Sequence, residues 1–238
     1  MLSTGTAWAL YTVSDAPRFH PRELGIIYCH AMPNRWAALT AHSGGCVLDA
    51  FLRQFCNAGD NPDYASHVRK ENLCEDLIVI PYMFGANSPE NDPAARAAIL
   101  NLGAHHTPGN VAMAIIESIG FETRRNLDVL AEMDIAFDAV KMAGGACRSD
   151  VWPQIVADIC NIRVDVIENA DTAPLGAAFL AGRAMRLWKQ DRLPEYPAMR
   201  AFTPETERSK KLDKKFRRYM NAVDLERQRR RNDGQETS

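Results

Sequence analysis

The sequence has 238 residues, of which 46% are hydrophobic and 24% charged, as in an ordinary folded protein with a sizeable core. A formal net charge of −2 gives the whole chain no attraction for nucleic acid or anionic membranes, so we expect neither as a partner. The six cysteines form no Cys-x-x-Cys pair, so no zinc or dithiol site is expected, and most lie in apolar runs, as buried thiols do in a reducing compartment. With no signal peptide and no apolar run of membrane-spanning length, the prediction is a cytoplasmic protein.

The first turn of interest lies in a β-rich segment over residues 1–13. The run Ser3-Thr4-Gly5-Thr6 is consistent with a plain hairpin turn, which is the simpler interpretation. Such a glycine and hydroxyl turn also approaches phosphates in some proteins, through backbone N–H groups and a threonine hydroxyl. Taken alone, the run does not decide between the two.

A second glycine turn follows two predicted strands, over residues 24–30 and 36–41. Ser43-Gly44-Gly45 precedes a helix, because apolar residues then recur on one helical face: Val47, Leu48, Phe51, Leu52 and Phe55. Residues 57–71 are polar and predict an exposed loop or a short helix.

A further strand, predicted over residues 77–81, leads into a loop of prolines and polar side chains that ends at residue 93. Those side chains suit either hydrogen bonds to a polyol or the internal needs of turns. Thr107-Pro108 predicts the start of a long helix that ends near Met133. His105-His106 suggests a metal site only weakly, because adjacent histidines point apart and no acidic or cysteine partner has ligand spacing.

A third glycine turn opens the most regular part of the sequence, which reads strand, turn, helix, strand and small-residue helix. Gly144-Gly145-Ala146 separates a short strand from a helix over residues 150–161, which Ser149, alone or with Asp150, is placed to cap. Such a turn is either only a tight turn or a place where the backbone approaches a ligand with free N–H groups. Asp171 or Thr172 is placed to cap the last helix of this part.

The carboxyl-terminal part has a different character. Residues 191–204 are punctuated by prolines, and residues 205–238 carry 11 Lys/Arg against 7 Asp/Glu. An apolar face over residues 209–223 predicts a docking helix, followed by a basic tail that we expect to be disordered. The predicted division is therefore a domain over residues 1–204 and this helix with its tail. The alternative is a nucleic-acid or anion-binding patch, which the lack of interleaved aromatic residues disfavours.

Three glycine turns, each next to predicted β structure, thus stand in sequence: Gly5-Thr6, Gly44-Gly45 and Gly144-Gly145-Ala146. No Walker-type run and no Gly-x-Gly-x-x-Gly run accompanies them. Separate glycine turns that close on one nucleotide resemble the arrangement of actin-like ATPase domains. From about residue 4 to residue 219, the chain resembles the C-terminal half of the FGGY carbohydrate kinases, most closely their xylulokinase-like members.

The resemblance rests on several runs in combination. Residues 29–36 resemble the His-x-x-Pro-Gly-x-Trp run of xylulokinases, with Asn34 in place of glycine. Residues 97–117 match the second family signature, with Asn110 in its polar slot and Asn101 where glycine is usual. The other matching runs are residues 3–8, 43–45, 81–93 (with Ala86-Asn87 where the family often has Glu-Arg), 144–152 and 173–180.

The resemblance implies an α/β fold of the actin-like ATPase (ribonuclease H-like) type, a mixed β-sheet flanked by helices. It implies phosphoryl transfer from MgATP to a sugar or polyol hydroxyl, with Mg²⁺ carried by the ATP. Gly5 and Thr6 would meet the β- and γ-phosphates, and Gly44 and Gly45 would border the phosphates and ribose. The remaining ATP-binding residues would lie along the ribose and adenine: Gly144, Gly145, Ala146 and Ser149.

The resemblance also implies that much of a kinase lies outside this chain. FGGY kinases have two such domains, and the first supplies most of the sugar site. The family's aspartate base lies just upstream of the first glycine turn, so no catalytic or metal-binding residue is assigned, and Asp15, Asp92 and Asp134 do not match its motif. Two hypotheses remain: the ATP-binding half of a kinase completed by an N-terminal half, or a non-catalytic nucleotide-binding or interaction domain. We also expect an apolar face around residues 1–10 to be exposed or to form a homo-oligomer.

Overall fold

The computed structural model describes residues 1–59, 67–167, 172–187 and 200–236, with side chains up to residue 232. The strands described are β1 Leu2–Thr4, β2 Ala7–Ser14, β3 Ile26–Cys29, β4 Trp36–Ser43, β5 Ile78–Ile80, β6 Ala98–Leu100, β7 Ala139–Gly144, β8 Arg163–Val166 and β9 Arg200–Phe202. The α-helices described are α1 Gly45–Phe55, α2 Pro108–Ala131, α3 Val151–Cys160, α4 Thr172–Ala184 and α5 Thr206–Glu236. Residues 60–66 of the predicted loop over residues 57–71, the Asp171 cap and residues 191–199 of the segment 191–204 lie outside the described residues.

Seven strands form one mixed sheet in the order β3-β4-β2-β1-β7-β8-β9. β2 is antiparallel to both β1 and β4, whereas β7 runs parallel to β1 and to β8. A separate two-stranded sheet of β5 and β6 lies in the segment between α1 and α2. The predicted mixed sheet with flanking helices is therefore confirmed.

The core lies where the helices α1, α2 and α3 meet the sheet, because alternate residues of the strands point to that side. Leu2, Trp8 and Leu10 are all less than 3% exposed and belong to one cluster with the apolar faces of the helices. α2 begins as predicted: the Thr107 hydroxyl accepts the amide of Asn110, and the Asn110 side chain accepts the amide of Thr107. This capping box satisfies two amide groups that a helix start otherwise leaves unpaired.

Three predictions about exposed parts of the chain are wrong. Residues 1–10 do not form an exposed apolar face, because the side chains of Leu2, Trp8 and Leu10 are buried in the core. A large exposed apolar side chain lies instead on β3, where Ile26 is 60% exposed. The cysteines are free thiols, but only Cys147 is buried, and Cys29 on the edge strand β3 is exposed.

The carboxyl-terminal tail, expected to be disordered, is helical to Glu236. Ion pairs accompany this extension: Arg229 with Glu226 on the same helix at 3.0 Å, and Arg230 with Asp92 at 2.9 Å. Among the described residues, no helix has both the length and the apolar character that a membrane crossing needs.

Candidate functional site

The three glycine turns meet at one end of the sheet, where the C-terminal ends of β1, β4 and β7 all lie. β1, β4 and β7 all run in the same direction, so the turns that follow them lie at the same end. The backbone N–H of Gly44 donates to the carbonyl of Thr6, and that of Gly45 donates to the carbonyl of Gly5, both at 3.2 Å. On the other side, Thr4 pairs with Gly144 in the parallel ladder. The first turn therefore lies between the second and the third.

Gly44 is required by packing against an aromatic side chain. A Cβ atom at this position would lie 1.9 Å from Cδ1 of Trp8. Trp8 is 1% exposed, and its ring centroid lies 5.2 Å from that of Trp152 at the start of α3. The packed rings of Trp8 and Trp152 thus connect the second turn, which contacts Trp8, with the start of α3, which follows the third turn.

Gly144 is required by both its backbone conformation and its neighbours. Its φ of 111° and ψ of −163° lie in a region that only glycine adopts readily. A Cβ atom there would lie 2.2 Å from the carbonyl oxygen of Thr4. The Thr4 hydroxyl donates to the carbonyl of Ala143 at 2.8 Å, which fixes β1 against β7 just before the turn.

Gly5 and Gly145 have a different environment, because both are exposed to solvent at the end of the sheet. Both are exposed, and Cβ atoms built on them would make only ordinary contacts, at 3.7 Å from the Ala7 carbonyl and 3.8 Å from the Thr4 carbonyl. Their small size leaves room for a ligand rather than for a protein neighbour. Thr6, next to Gly5, is also exposed.

The helix that follows the second turn offers fewer free amide groups than a glycine turn suggests. The amides of Gly44, Gly45 and Cys46 all donate to carbonyls of Gly5 and Thr6. These bonds hold the first two turns together, and the amide of Gly5 also donates within the chain, to the carbonyl of Ala7 at 3.2 Å, so none of these four amides is free for an anion.

The last of the predicted residues lie in the short 3₁₀ helix Gly145–Arg148 and at its end. The hydroxyl of Ser149 accepts the amide of Val151 at 3.1 Å, so this side chain does support the start of α3. The structure gives Asp150 as the residue before the helix, with no capping bond from its side chain. Ala146 and Ser149 are half-buried, and neither belongs to the ladder in which Gly144 pairs with Thr4.

Sequence reasoning missed three side chains beneath the site: Thr4, Trp8 and His42. His42 is 2% exposed, and its Nε2 lies 3.1 Å from the Thr123 hydroxyl. Burial lowers the pKa of His42 to about 4, so the ring is neutral at pH 7. Trp8 and Leu10 are two positions apart on β2, a spacing that indicates that both side chains point to the core. That spacing does not reveal that Gly44 packs against the Trp8 ring.

The two asparagines at positions where the resembled family has glycine both have positive φ angles. Asn34 has φ of 58° and Asn101 has φ of 61°, both in the left-handed region. Asparagine tolerates this region better than other residues with side chains. Both positions therefore have a backbone conformation that glycine also adopts readily.

The polar residues of the signature over residues 97–117 support the fold. The Asn110 side chain donates to the carbonyl of Asn72 at 2.8 Å in addition to its capping bond. Glu117 pairs with Lys215 of α5 at 2.5 Å, and both side chains are 5% exposed. Burial raises the pKa of Glu117, and the positive charge of Lys215 opposes that shift.

One group of side chains has the composition of a metal site. His106 Nε2 lies 3.2 Å from Cys74 Sγ and 3.3 Å from Asp76 Oδ1, so the fold supplies the cysteine and acidic partners that the sequence spacing did not show. However, the amide of Gly103 donates to Nδ1 of His106 at 2.8 Å, which leaves the proton of the neutral ring on Nε2. Histidines that bind a metal through Nε2 carry that proton on Nδ1. The three side chains thus satisfy one another, and hydrogen bonds from Cys74 and His106 lower the pKa of Asp76 to about 2.

Comparison with solved structures defines the class of the fold. A crystal structure described as a xyloylose kinase from Brucella ovis superposes with a TM-score of 0.84 at 24% identity, covering 94% of this chain and 47% of that one. Plasmodium falciparum glycerol kinase, solved with ADP, has a TM-score of 0.75 at 21% identity and covers 93% of this chain and 46% of its own. The fold is the actin-like ATPase fold of these kinases.

The chain belongs to the FGGY family of carbohydrate kinases, whose C-terminal domain model matches residues 3–185. Xylulose kinase of Escherichia coli strain K12 is 28% identical over 212 residues, which are 87% of this chain and 44% of that protein. A glycerol kinase of Clostridium botulinum is 32% identical over 177 residues, which are 71% of this chain and 34% of that protein. This chain therefore spans less than half the length of these relatives.

Proposed function

We propose that this chain is the ATP-binding half of a carbohydrate kinase, which transfers the γ-phosphate of MgATP to a sugar or polyol hydroxyl such as that of a xylulose-like ketose. The observation that carries the proposal is the meeting of three glycine turns at one end of the sheet, with Gly5 and Gly145 open to solvent. An arrangement of glycine turns of this kind admits a nucleotide close to the backbone, and a Cβ there would fill part of the cradle. The names of the relatives, xylulose and glycerol kinases, support the reaction class.

In this proposal, each turn binds a different part of the nucleotide. Gly5 and Thr6 meet the β- and γ-phosphates, with the Thr6 hydroxyl as a donor. Gly44 and Gly45 border the phosphates and ribose, while Gly144, Gly145, Ala146 and Ser149 lie along the ribose and adenine. When bound, MgATP supplies the phosphoryl group and a cation that neutralises its charge.

We further propose that a separate or linked N-terminal half supplies the sugar pocket and the base. Two of the aspartates named in the sequence analysis have partners within this chain: Asp15 pairs with Arg35, and Asp92 pairs with Arg230. A half-site would leave the phosphates in contact with water, which weakens electrostatic stabilisation of the transferring group. The six free thiols support a reducing, cytoplasmic compartment.

Binding of a fluorescent ATP analogue, together with kinase assays on a panel of sugars and polyols, tests this function. We expect weak nucleotide binding by the chain alone and turnover only after an FGGY N-terminal half is added. Nucleotide binding without turnover in either case would instead support a non-catalytic nucleotide-binding domain. Absence of nucleotide binding in both cases would refute the proposal.

A further inference from the structure

The loop over residues 81–93, called the proline loop from here on, reaches the open edge of β4. β3 pairs with β4 only from Trp36 to Leu39, so within the described part of the chain no strand covers the outer edge of residues 40–43. The backbone N–H of Ser88 donates to the carbonyl of Ala41 at 3.0 Å along this edge. The proline loop thus contacts β4 just before the second glycine turn begins.

Two side chains of α2 fasten the proline loop in this position. Asn126 Nδ2 donates to the carbonyl of Ser88 at 3.1 Å, and the guanidinium of Arg125 pairs with Glu90. The side chains of Arg125 and Glu90 are 7% and 10% exposed, and Asn126 is fully buried. Charged hydrogen bonds that are shielded from water in this way are strong and directional. The place of the loop on β4 therefore depends on α2.

The helix α5 supports the same arrangement from its other side. The Tyr219 hydroxyl donates to Oε1 of Glu122 at 2.5 Å, and Arg125 donates to the same oxygen at 2.7 Å. Arg230 of α5 pairs with Asp92 of the proline loop at 2.9 Å. α5 lies beyond residue 185, where the match to the family domain ends. The helix α5, which lies outside the matched domain, is thus linked by side chains to the proline loop, which contacts β4 just before the second glycine turn.

We propose that Glu90 is a positioning residue: held by Arg125, it fixes the proline loop against β4 and thereby keeps Gly44-Gly45 in the geometry that binds nucleotide. The link to nucleotide rests on the proposed function, whereas the mechanical part of the inference does not. Without the hydrogen bond from the Ser88 amide to the Ala41 carbonyl, the C-terminal end of β4 becomes more mobile. The bonds from the amides of Gly44 and Gly45 to the first turn then open more often.

Glu90→Gln is the direct test, because it removes the charge and keeps the shape of the side chain. Glu117→Gln is its matched control: it changes a buried carboxylate of the ion pair with Lys215, whose ammonium also bonds the carbonyl of Cys74 rather than the proline loop. Amide hydrogen exchange of residues 41–46 is measured without nucleotide. We expect about tenfold faster exchange in Glu90→Gln, equivalent to ~1.4 kcal/mol, and less than about twofold in the control.

Arg230→Gln provides a second variant that leaves the core intact, since both partners of the Arg230–Asp92 pair are partly exposed. We expect a smaller rise in exchange over the same residues. The Kd for a fluorescent ATP analogue is expected to rise about fivefold in Glu90→Gln and to stay unchanged in Glu117→Gln, a difference of ~1 kcal/mol.

The outcomes separate the two proposals. Unchanged exchange in Glu90→Gln, or an equal rise in Glu90→Gln and Glu117→Gln, overturns the positioning role. Faster exchange with unchanged nucleotide affinity overturns the link from the loop to binding. Selective faster exchange in a protein that binds no nucleotide supports the mechanical role and refutes the proposed function instead.

Discussion

Replacing Gly144 with alanine places a methyl group against the backbone of β1. The new Cβ would lie 2.2 Å from the Thr4 carbonyl oxygen and 2.8 Å from the Thr4 hydroxyl oxygen, so changing the Thr4 side chain alone would not relieve the contact. The backbone φ of 111° adds a second cost, because residues with a Cβ avoid this region. Both effects act on the pairing of β1 with β7.

The expected loss of stability is large compared with that of a typical substitution. An unfavourable φ costs roughly 1–3 kcal/mol, and overpacking costs roughly 1–3 kcal/mol, so Gly144→Ala is expected to lose about 4 kcal/mol. For a chain of this size, such a loss lowers Tm by about 8–16 °C. Because domains of this kind have unfolding free energies of about 5–15 kcal/mol, the variant would lose between about a quarter and about four fifths of its stability.

Gly145→Ala is the matched control, since its Cβ would lie 3.8 Å from the nearest heavy atom and its φ is not in the left-handed region. We expect its unfolding free energy in urea to stay within about 0.5 kcal/mol of the wild type. Its binding of a fluorescent ATP analogue should weaken, because the methyl group occupies the open side of the turn. Equal unfolding free energies for Gly144→Ala and Gly145→Ala would refute this reasoning.

Three further predictions concern the surroundings of the site. Gly44→Ala brings a methyl group 1.9 Å from Cδ1 of Trp8 and should lower the unfolding free energy by ~2 kcal/mol. The near-UV circular dichroism of the tryptophans should change as well, and an unchanged spectrum would contradict this prediction. His42 has its pKa lowered from 6.5 to about 4, so its contribution is complete above pH 6.5 and decreases as the pH falls toward 4. Urea unfolding at pH 7.5 and pH 5 should show a loss about 2 kcal/mol greater in wild type than in His42→Gln, and equal losses would exclude this role. Asn34→Gly should leave stability within about 0.5 kcal/mol, whereas Asn34→Val should lower it by ~1–2 kcal/mol because of the positive φ; equal effects would rule out the conformational explanation.

Local patterns in the sequence were sufficient to predict most elements. The β-rich segment over residues 1–13 contains β2, the strand predicted over residues 36–41 falls within β4, and the Thr107 cap with the helical spacing predicts α2 almost to its end at Ala131. The positions of the three glycine turns and the family also followed from the residues, and the comparisons confirm the family. The binding of ATP at these turns remains a prediction.

Contacts between distant residues could not be predicted in the same way. The tail beyond residue 226 has the composition of a disordered segment, yet Arg230 finds Asp92, which is 138 positions away in the sequence. The grouping of Cys74 and Asp76 with His106 is of the same kind, since their separations in the sequence match no known ligand spacing. Such contacts depend on how the elements pack, which spacing along one segment does not encode.

The sequence by itself determined most of the elements, the glycine turns and the family, because periodicity and turn residues act within a few positions of the chain. Only the tertiary structure decided what each glycine does. The order of β4, β2, β1 and β7 places Gly44 over Trp8 and Gly144 against Thr4, whereas Gly5 and Gly145 face open space. Two of the glycines are therefore required by packing and two are available to a ligand, and that distinction arises from strand pairing between residues as far apart as Thr4 and Gly144.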